Sequence, residues 1–379
     1  MRVLFVLENY FPFVGGAETL FQHVCEGLAE KGHAVTVVTS SQPGVPACEV
    51  LNGVTIHRVK CPHRGSRYWF TFLAIPRTIG LSRTADIIQT TTYNGAFPAW
   101  LSSRLRGKKC VITVHEVIAE GWRSMMGMNR FTAWLHRLLE RIIIIIPFNR
   151  YISVSEYTAG RIRRYGISPD KIKVIYNGID YAMFDPHKAV GEQIRNRLGL
   201  RDNFVYMSYG RPGISKGLEY LIRAIPLIAE KIPQSRLLMI LGRQPSDGYR
   251  KITGLIKALG VEDKVTLIDP VPRNELPAHI AAADCVVVPS VSEGFGFTAI
   301  EACAMGRPVV ASNVASLPEV ISGTCILVEP GNPAAIAGAV QAVYEGKAEH
   351  RPEKKFTWSD CIDRYERTYI ELIKGKDIE

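Results

Sequence analysis

Cys285-Val-Val-Val-Pro289 leads into Glu293-Gly-Phe-Gly-Phe-Thr-Ala-Ile-Glu301, and Pro308-Val-Val-Ala311 follows a few residues later. Two short apolar runs thus flank a loop with glycines and an apolar segment, which predicts strand, loop, helix and strand. Units of this kind build parallel sheets, and open parallel sheets bind ligands at the carboxyl ends of their strands. The loop between the two runs is therefore predicted to lie at a ligand-binding edge.

Two carboxylates lie eight positions apart in this stretch, Glu293 in the loop and Glu301 inside the predicted helix. Gly296 allows a ligand to approach the backbone, and a helix that starts near Phe297 offers the unpaired N–H groups of its first turn to an anion. Carboxylates on either side of a bound phosphate can accept hydrogen bonds from hydroxyls. The pattern favours a sugar joined to a nucleotide by phosphates, but a helix-capping Glu293 and a solvated Glu301 would give the same spacing.

The composition is that of an ordinary globular chain with room for two domains. It has 379 residues, of which 47% are hydrophobic and 22% charged. The formal charge of +10 favours acidic partners such as nucleotide phosphates or an anionic membrane face, although a generally basic surface gives the same value. The sequence contains no nucleic-acid-binding motif and no lysine-rich tail, so nucleic acid is not an expected partner.

The cysteines and the N-terminal residues indicate a cytoplasmic protein. Eight cysteines are scattered without a Cys-x-x-Cys pair, so we expect reduced thiols, several of them packed as small apolar groups. The first apolar run is short for a signal peptide and is typical of a first strand. The most apolar stretch, residues 142–148, is far too short to span a bilayer, and no transmembrane helix is expected.

Strand-like and helix-like patterns alternate along the chain in two series. The first predicts strands at residues 3–7, 34–39, 87–89, 110–114, 151–154 and 173–176. The second predicts strands at residues 204–208, 237–241, 265–268, 285–288, 308–311 and 325–328. The alternation restarts after a turn signal at 177–186. We therefore predict two doubly wound, Rossmann-like α/β domains facing a cleft, residues 1–183 and 184–355, followed by a C-terminal helix within 356–379.

A second candidate loop is Gly210-Arg-Pro-Gly-Ile-Ser-Lys-Gly217, which follows the first strand of the second series. Arg211 offers a guanidinium fork for two phosphate oxygens, and Lys216 offers a compact ammonium for the charge on a leaving diphosphate. Two solvated basic residues would be the other interpretation of this loop.

The first series has two weaker signals. Gly15 and Gly16 separate the first strand from the first helix and allow a phosphate or sugar to approach, although a tight turn explains them equally well. They do not form the G-x-G-x-x-G motif of dinucleotide-binding proteins, and this absence disfavours a nicotinamide enzyme. His115 ends a predicted strand, where it can hydrogen-bond a sugar hydroxyl or stabilise charge, but a lone histidine is more often structural.

No metal cofactor is expected, because the other histidines lack metal-ligand spacing and the sequence has no Asp-x-Asp pair to hold a divalent ion against a diphosphate.

Two stretches, residues 64–75 and 122–137, mix arginines with aromatic residues. They indicate either interfacial elements on an anionic membrane or core-facing helices whose arginines extend to solvent. Membrane attachment would use Arg64, Arg67, Arg123 and Arg130.

Together these motifs resemble the retaining GT-B glycosyltransferases of glycosyltransferase family 4, the group 1 transferases. The resemblance runs from the glycine pair through Ser153-Val-Ser155 and Tyr176-Asn-Gly-Ile-Asp180 to the Gly-Arg…Lys-Gly loop, the two glutamates and the terminal helix that begins at Trp358. It implies metal-independent transfer from a UDP- or GDP-sugar, which is a substrate and not a cofactor, to a glycan or lipid-linked glycan. The C-terminal helix would cross back onto the first domain, and the protein would work in the cytoplasm or at the inner face of the cell membrane.

The resemblance also implies roles for individual residues. Donor contacts would come from Gly15, Gly16, Arg211, Lys216, Glu293, Gly296, Phe297, Thr298 and Glu301. Among these, Arg211 and Lys216 would hold the diphosphate, Glu293 the sugar hydroxyls and Glu301 the ribose. His115 would meet the donor sugar near its reactive face and would complete a catalytic set with Arg211, Lys216 and Glu293. Glu116 stands where the family often has aspartate, which puts a role for that carboxylate in doubt.

Two other classes of function stay open on the sequence. A UDP-sugar 2-epimerase of the same architecture would isomerise its substrate without an acceptor, and a nucleotide-sugar or glycan binding protein would turn nothing over. The arginine–lysine loop together with the paired glutamates favours transfer. No motif in the sequence identifies the donor sugar, its base or the acceptor.

Overall fold

The computed structural model describes residues 1–13, 15–62, 66–124 and 127–375. The chain divides into two compact units. The first comprises Met1–Ala119, Phe131–Gly178 and Phe356–Glu379, and the second comprises Glu120–Arg130 and Ile179–Lys355. Each unit has its own sheet and its own apolar core.

Eight strands form the sheet of the first unit: β1 (Arg2–Val6), β2 (Ala34–Ser40), β3 (Cys48–Leu51), β4 (Val54–Val59), β5 (Ile87–Thr91), β6 (Lys109–Val114), β7 (Arg150–Ser153) and β8 (Ile172–Val174). Their spatial order is β3-β4-β2-β1-β5-β6-β7-β8. The first six helices are α1 (Gly16–Glu30), α2 (Ser66–Leu73), α3 (Ile75–Leu81), α4 (Ala96–Arg106), α5 (Arg130–Ile145) and α6 (Glu156–Arg163). Strand order changes direction between β1 and β5, which is the position where open α/β sheets bind ligands.

The central strands of this sheet are buried on both faces, which explains their continuous apolar runs. In β1, for example, Val3, Leu4, Phe5 and Val6 are all buried. The core on one side contains Leu4, Val6, Ile88 and Ile112 together with residues from the helices.

The β3–β4 hairpin is absent from the sequence-based prediction, which contained only parallel strands. These two strands are antiparallel and are joined by Asn52 and Gly53, which both have positive φ, 49° and 78°. An Asn-Gly pair between short strands is the usual sequence of a two-residue hairpin turn, so the signal was present in the sequence.

Seven strands form the sheet of the second unit: β9 (Phe204–Gly210), β10 (Ser235–Leu241), β11 (Val265–Ile268), β12 (Cys285–Val288), β13 (Val309–Ser312), β14 (Gly323–Val328) and β15 (Glu349–Arg351). Their order is β11-β10-β9-β12-β13-β14-β15, parallel except for the last pair. The helices are α7 (Gly191–Arg197), α8 (Leu218–Lys231), α9 (Ser246–Ala258), α10 (Leu276–Ala281), α11 (Phe297–Ala304), α12 (Leu317–Val320) and α13 (Pro333–Tyr344). Here the strand order changes direction between β9 and β12.

The helical pattern that follows β9 forms α8 as predicted. Its apolar face is made by Leu218, Leu221, Ile222 and Ile225, all of them buried in the core of the second unit. This packing fixes where the helix begins, and so fixes the loop that enters it from β9.

The last helix, α14 (Trp358–Lys374), lies in the first unit and packs along α1. A Cβ on Gly27 would come within 2.4 Å of the Ile362 side chain, so the two helices are in close contact. Two buried tyrosines tie α14 to the sheet, because Tyr369 donates to Gln89 Oε1 at 2.9 Å and the hydroxyls of Tyr365 and Thr113 lie 2.9 Å apart.

The twelve predicted strands are all present, and the α/β class of both units is confirmed.

The units separate between Gly178 and Ile179, whereas the sequence predicts a boundary between residues 183 and 184. Gly178 still packs on the first unit, where a Cβ would lie 2.4 Å from the backbone N of Trp358. Asp180 already belongs to the second unit, because its carbonyl oxygen accepts from the N–H of Phe184, whose ring lies 5.3 Å from the guanidinium of Arg273. All eight cysteines are free thiols. None of the described helices is long and apolar enough to cross a bilayer.

Candidate functional site

The carboxyl ends of β9 and β12 carry the two loops that the sequence singled out. The two strands are parallel neighbours at the point where strand order changes direction, so both loops leave the same edge of the sheet side by side. The structure thereby brings the arginine–lysine loop and the first glutamate of the pair into one place.

The two loops touch through their backbones. Gly217, which ends a 3-10 turn at Ile214–Lys216, has φ 61°, and a Cβ there would lie 2.0 Å from the carbonyl oxygen of Pro289. The N–H of Val291 donates to Ser215 O at 2.8 Å. Gly217 is therefore required both for its left-handed conformation and for the closeness of the loops.

An ion pair joins the side chains of these loops. Lys216 Nζ lies 2.5 Å from Glu293 Oε1, which also accepts a hydrogen bond from Ser290 Oγ at 3.2 Å. The side chains of Lys216 and Glu293 keep 31% and 12% of their exposure. Both line a pocket that also contains Arg211 and Thr298. The pocket therefore presents two cations to an anion and a carboxylate to hydroxyl groups.

The N-terminus of α11 opens at the same pocket. The helix follows Gly296, whose φ is 94°, and its backbone bonding begins where Ala299 N donates to Gly296 O at 3.0 Å. The N–H groups of Phe297 and Thr298 have no acceptor within their own helix, as in any first helical turn. This geometry suits a phosphate oxygen.

Glu301 lies one turn further along α11 and is buried, so the interpretation of it as a solvated surface residue is wrong. Tyr209 donates to Glu301 Oε2 and Arg273 donates to Glu301 Oε1, each at 2.8 Å. Burial raises the pKa of the Glu301 carboxyl, and the charge of Arg273 and the hydrogen bond from Tyr209 oppose that shift. Tyr209 also lines the pocket, so the Glu301 carboxylate is connected to the pocket through its hydrogen bond with Tyr209.

Tyr209 and Arg273 were not identified from the sequence. Tyr209 is the penultimate residue of β9, immediately before the arginine–lysine loop, and Arg273 follows β11 in Asp269-Pro-Val-Pro-Arg273. A search for a basic residue just after each strand of the second series would have found Arg273, because parallel strands end at one edge.

His115 lies in the first unit, directly after β6. Its ring contacts Phe21 of α1 edge-on with centroids 5.7 Å apart. The residue keeps some exposure, but Nε2 is closed to solvent and has no hydrogen-bond partner among the described residues. Burial lowers the pKa of His115 to about 4, so the imidazole is neutral at pH 7 and offers a hydrogen bond rather than a charge.

Gly15 and Gly16 also belong to the first unit and form the start of α1 after β1. Gly16 is the first helical residue, and Gly15 has extended backbone with φ −166°. Since Phe21 of the same helix contacts His115, the glycine pair and the histidine are connected through α1. Among the described residues, no group of three or more His, Cys, Asp or Glu side chains is arranged to hold a metal ion.

Sequence comparison finds related proteins for both units. Residues 14–182 match the family model of Glycosyltransferase Family 4, and residues 203–346 match that of the Glycosyl transferases group 1. An uncharacterized glycosyltransferase of Methanocaldococcus jannaschii is 32% identical, with 90% of this chain and 89% of that protein covered.

Solved structures show the same fold. Sucrose-phosphate synthase from Thermosynechococcus elongatus aligns with a TM-score of 0.78 at 22% identity and covers 99% of both chains. The Anabaena protein HepE, in complex with UDP and glucose, aligns with a TM-score of 0.74 at 20% identity and covers 98% of this chain and 100% of its own. At these identities the likeness establishes the architecture, which is the GT-B fold.

The buried imidazole of His115 predicts a pH dependence of stability. Its pKa is about 4 in the folded protein and near 6.5 in an unfolded chain, so the unfolded state binds more protons between these values. Neutral His115 therefore contributes stability fully above about pH 6.5, and that contribution is lost as the pH falls toward 4. In urea unfolding across this range, His115→Gln should lose less stability on acidification than the parent protein.

His350→Gln, at an exposed position on β15, is the matched control for the loss of a histidine side chain. Parallel curves for the parent and His115→Gln would show that His115 titrates as it does in the unfolded chain.

Proposed function

The chain belongs to glycosyltransferase family 4, the group 1 glycosyl transferases, and on this basis we propose that it transfers a sugar from a UDP- or GDP-sugar to a glycan or lipid-linked glycan, with retention of anomeric configuration. The observation that carries the proposal is the pocket after β9 and β12. There Arg211, Lys216 and Thr298 at the start of α11 line one pocket with groups that suit a diphosphate, and Glu293 lies beside them.

The diphosphate is assigned to the two cations and the helix start. Arg211 can hold two oxygens through its planar fork, while Lys216 places a compact charge where the leaving oxygen develops negative charge. Such groups act most strongly when they are fixed in place before the reaction begins. The ion pair with Glu293 and the short 3-10 turn hold Lys216 in this way.

The sugar is assigned to Glu293 and His115. Glu293 keeps lone pairs beyond those engaged by Lys216 and Ser290, because a carboxylate has about four acceptor sites. A neutral His115 can exchange a hydrogen bond with a hydroxyl without adding charge. Gly15 and Gly16 would allow the donor to approach the backbone of the first unit.

The nucleoside is assigned to the region of Glu301. Its two oxygens each accept one hydrogen bond, from Tyr209 and Arg273, which leaves acceptor sites for a ribose hydroxyl. The solved structure of HepE contains UDP and glucose, which supports a nucleotide sugar as the donor class.

The proposed reaction needs no protein base near the acceptor. The bond between the anomeric carbon and the phosphate oxygen breaks, the acceptor oxygen bonds to the same face, and its proton passes to the leaving phosphate. The rate of transfer then depends on how strongly the protein stabilises the departing diphosphate and the oxocarbenium-like sugar in the transition state. Because Arg211 and Lys216 can supply the positive charge, we propose that turnover requires no divalent ion.

A donor assay in excess EDTA tests the class of reaction. Incubated with radiolabelled UDP-glucose or GDP-mannose and no acceptor, the protein should slowly hydrolyse one of them to sugar and nucleoside diphosphate. Release of an epimer of the UDP-sugar would indicate an epimerase, and thermal stabilisation by the donor without turnover would indicate a binding protein. Loss of activity in EDTA that manganese restores would contradict metal independence.

Replacement of Lys216 tests the diphosphate assignment. Since charge on the leaving group is greater in the transition state than in the ground state, Lys216→Ala should lower kcat about a hundredfold, equivalent to about 3 kcal/mol, with a smaller change in donor affinity. Arg211→Ala should behave alike, and Arg211→Lys should restore only part of the activity because an ammonium lacks the bidentate fork.

Lys251→Ala is the matched control for this series. It removes an ion pair with Glu219 in the same unit, outside the pocket, and should leave kcat unchanged. A Lys216→Ala variant that is folded, by its thermal transition, yet keeps near-normal kcat would place the diphosphate elsewhere.

A further inference from the structure

Helix α5 presents an apolar face to solvent. Its exposed large side chains recur at helical spacing and keep 36 to 70% of their accessible surface: Phe131, Trp134, Leu135, Leu138, Leu139, Ile142 and Ile145. The opposite side packs on the protein through Ala133, Glu140 and Ile144. A helix of a globular protein normally buries its apolar face, so this orientation is inverted.

Glu140 holds the helix in this orientation. The carboxylate is buried and accepts hydrogen bonds from the N–H of Ile118 at 3.1 Å and of Ala119 at 2.9 Å, and from the hydroxyl of Tyr165 at 3.2 Å. Rotating α5 to bury its apolar face would remove these bonds and leave buried donors unsatisfied, which is costly. The outward apolar face is thus a fixed feature of the first unit.

Helix α2 extends the apolar surface. The hydroxyl of Tyr68 lies 3.3 Å from Nε2 of His136 on α5, so the two helices are adjacent. Tyr68, Trp69, Phe72 and Leu73 keep 41 to 61% of their exposure. Soluble monomers rarely expose contiguous apolar patches of this kind, and such patches mark interaction sites. We refer to the exposed apolar residues of α2 and α5 as the outer face.

The charges around the outer face identify its partner. Arg130, Arg137 and Arg141 follow one another along one side of α5 and are exposed. The only carboxylate in α2 or α5 is Glu140, which is buried. A second copy of this chain would therefore bring like charges together, whereas anionic lipid headgroups complement them. Tryptophan, phenylalanine and leucine beside a row of arginines are typical of helices that lie in a membrane interface.

We propose that the outer face docks the first unit on an anionic bilayer, with α5 lying in the headgroup region and its arginines on the lipid phosphates. The sequence predicts either a membrane element or a core-facing helix here, and the exposed apolar face of α5 contradicts the core-facing helix. Of the arginines in the two basic–aromatic stretches, Arg64 and the side chain of Arg67 lie outside the described residues. Arg123 is exposed in a turn before α5, and Arg130 begins α5.

Docking also fits a lipid-linked acceptor, and this part rests on the proposed function. Glu140 connects α5 to Ile118 and Ala119, in the segment that leaves β6 directly after His115. The membrane-facing helix and the histidine assigned to the sugar are thus fastened to each other within one unit. A lipid-linked acceptor would thus be presented to the unit that carries His115.

Vesicle co-sedimentation of the full-length protein tests the proposal. The parent protein should bind phosphatidylcholine vesicles that contain about 30% phosphatidylglycerol, bind pure phosphatidylcholine much less, and be released by about 0.5 M salt. Trp134→Gln with Ile142→Gln should weaken binding at least about tenfold. Arg130→Gln with Arg141→Gln should weaken binding to the anionic vesicles about fivefold per arginine.

Val50→Gln is the matched control, because Val50 is 69% exposed on β3 in the same unit but is not part of the outer face. It should bind vesicles like the parent protein, and all variants should keep the parent's thermal stabilisation by the donor nucleotide. Failure of donor binding with intact vesicle binding would therefore overturn the proposed function and not the docking surface.

Two results would overturn the docking proposal. One is absence of parent binding to the anionic vesicles at low salt. The other is concentration-dependent self-association, measured by sedimentation velocity, that Trp134→Gln with Ile142→Gln abolishes while vesicle binding is unchanged. In that case a second copy of the chain would be the occupant of the outer face.

Discussion

The contact between Gly217 and the carbonyl oxygen of Pro289 determines the geometry of the candidate donor site. No side chain fits at this position, and the positive φ that ends the 3-10 turn disfavours any residue with a Cβ. Because the loops after β9 and β12 can approach each other here, Lys216 of one reaches Glu293 of the other. The sheet places both loops at one edge, and the glycine allows them to meet.

Two ion pairs of the second unit hold the carboxylates of the candidate site. Glu293 and Glu301 each have a cation of their own, Lys216 for the first and Arg273 for the second. A buried carboxylate is costly without such a partner, and the raised pKa of the Glu301 carboxyl reflects the part of that cost that remains. The two ion pairs thus keep both carboxylates in place without a ligand.

Much of the architecture could be predicted from the sequence, because apolar runs and helical spacing report burial directly. β12, α11 and β13 follow from residues 285–311 alone. The β3–β4 hairpin needed attention to the Asn-Gly turn at Asn52 and Gly53. The inverted orientation of α5 could not be predicted, since an amphipathic pattern does not say which face is buried. That choice is made by Glu140, whose partners Ile118, Ala119 and Tyr165 are separated from it in sequence.

The residues of the candidate site also divide into those with a local sequence signal and those whose contacts depend on the fold. The loop residues Arg211, Lys216 and Glu293 could be identified because their strands and glycines are local signals. Tyr209 and Arg273 contact Glu301 from elements distant in sequence, so their role depends on the strand order β11-β10-β9-β12. The neutral state of His115 likewise depends on burial beside Phe21, which spacing alone does not reveal.

The most direct test of the account is a crystal structure of the protein with its nucleotide-sugar donor. The account predicts diphosphate oxygens within hydrogen-bonding distance of Arg211, of Lys216 and of the N–H groups at Phe297 and Thr298, with the ribose beside Glu301. A diphosphate bound away from the loops after β9 and β12, with the ion pair of Lys216 and Glu293 untouched, would contradict it.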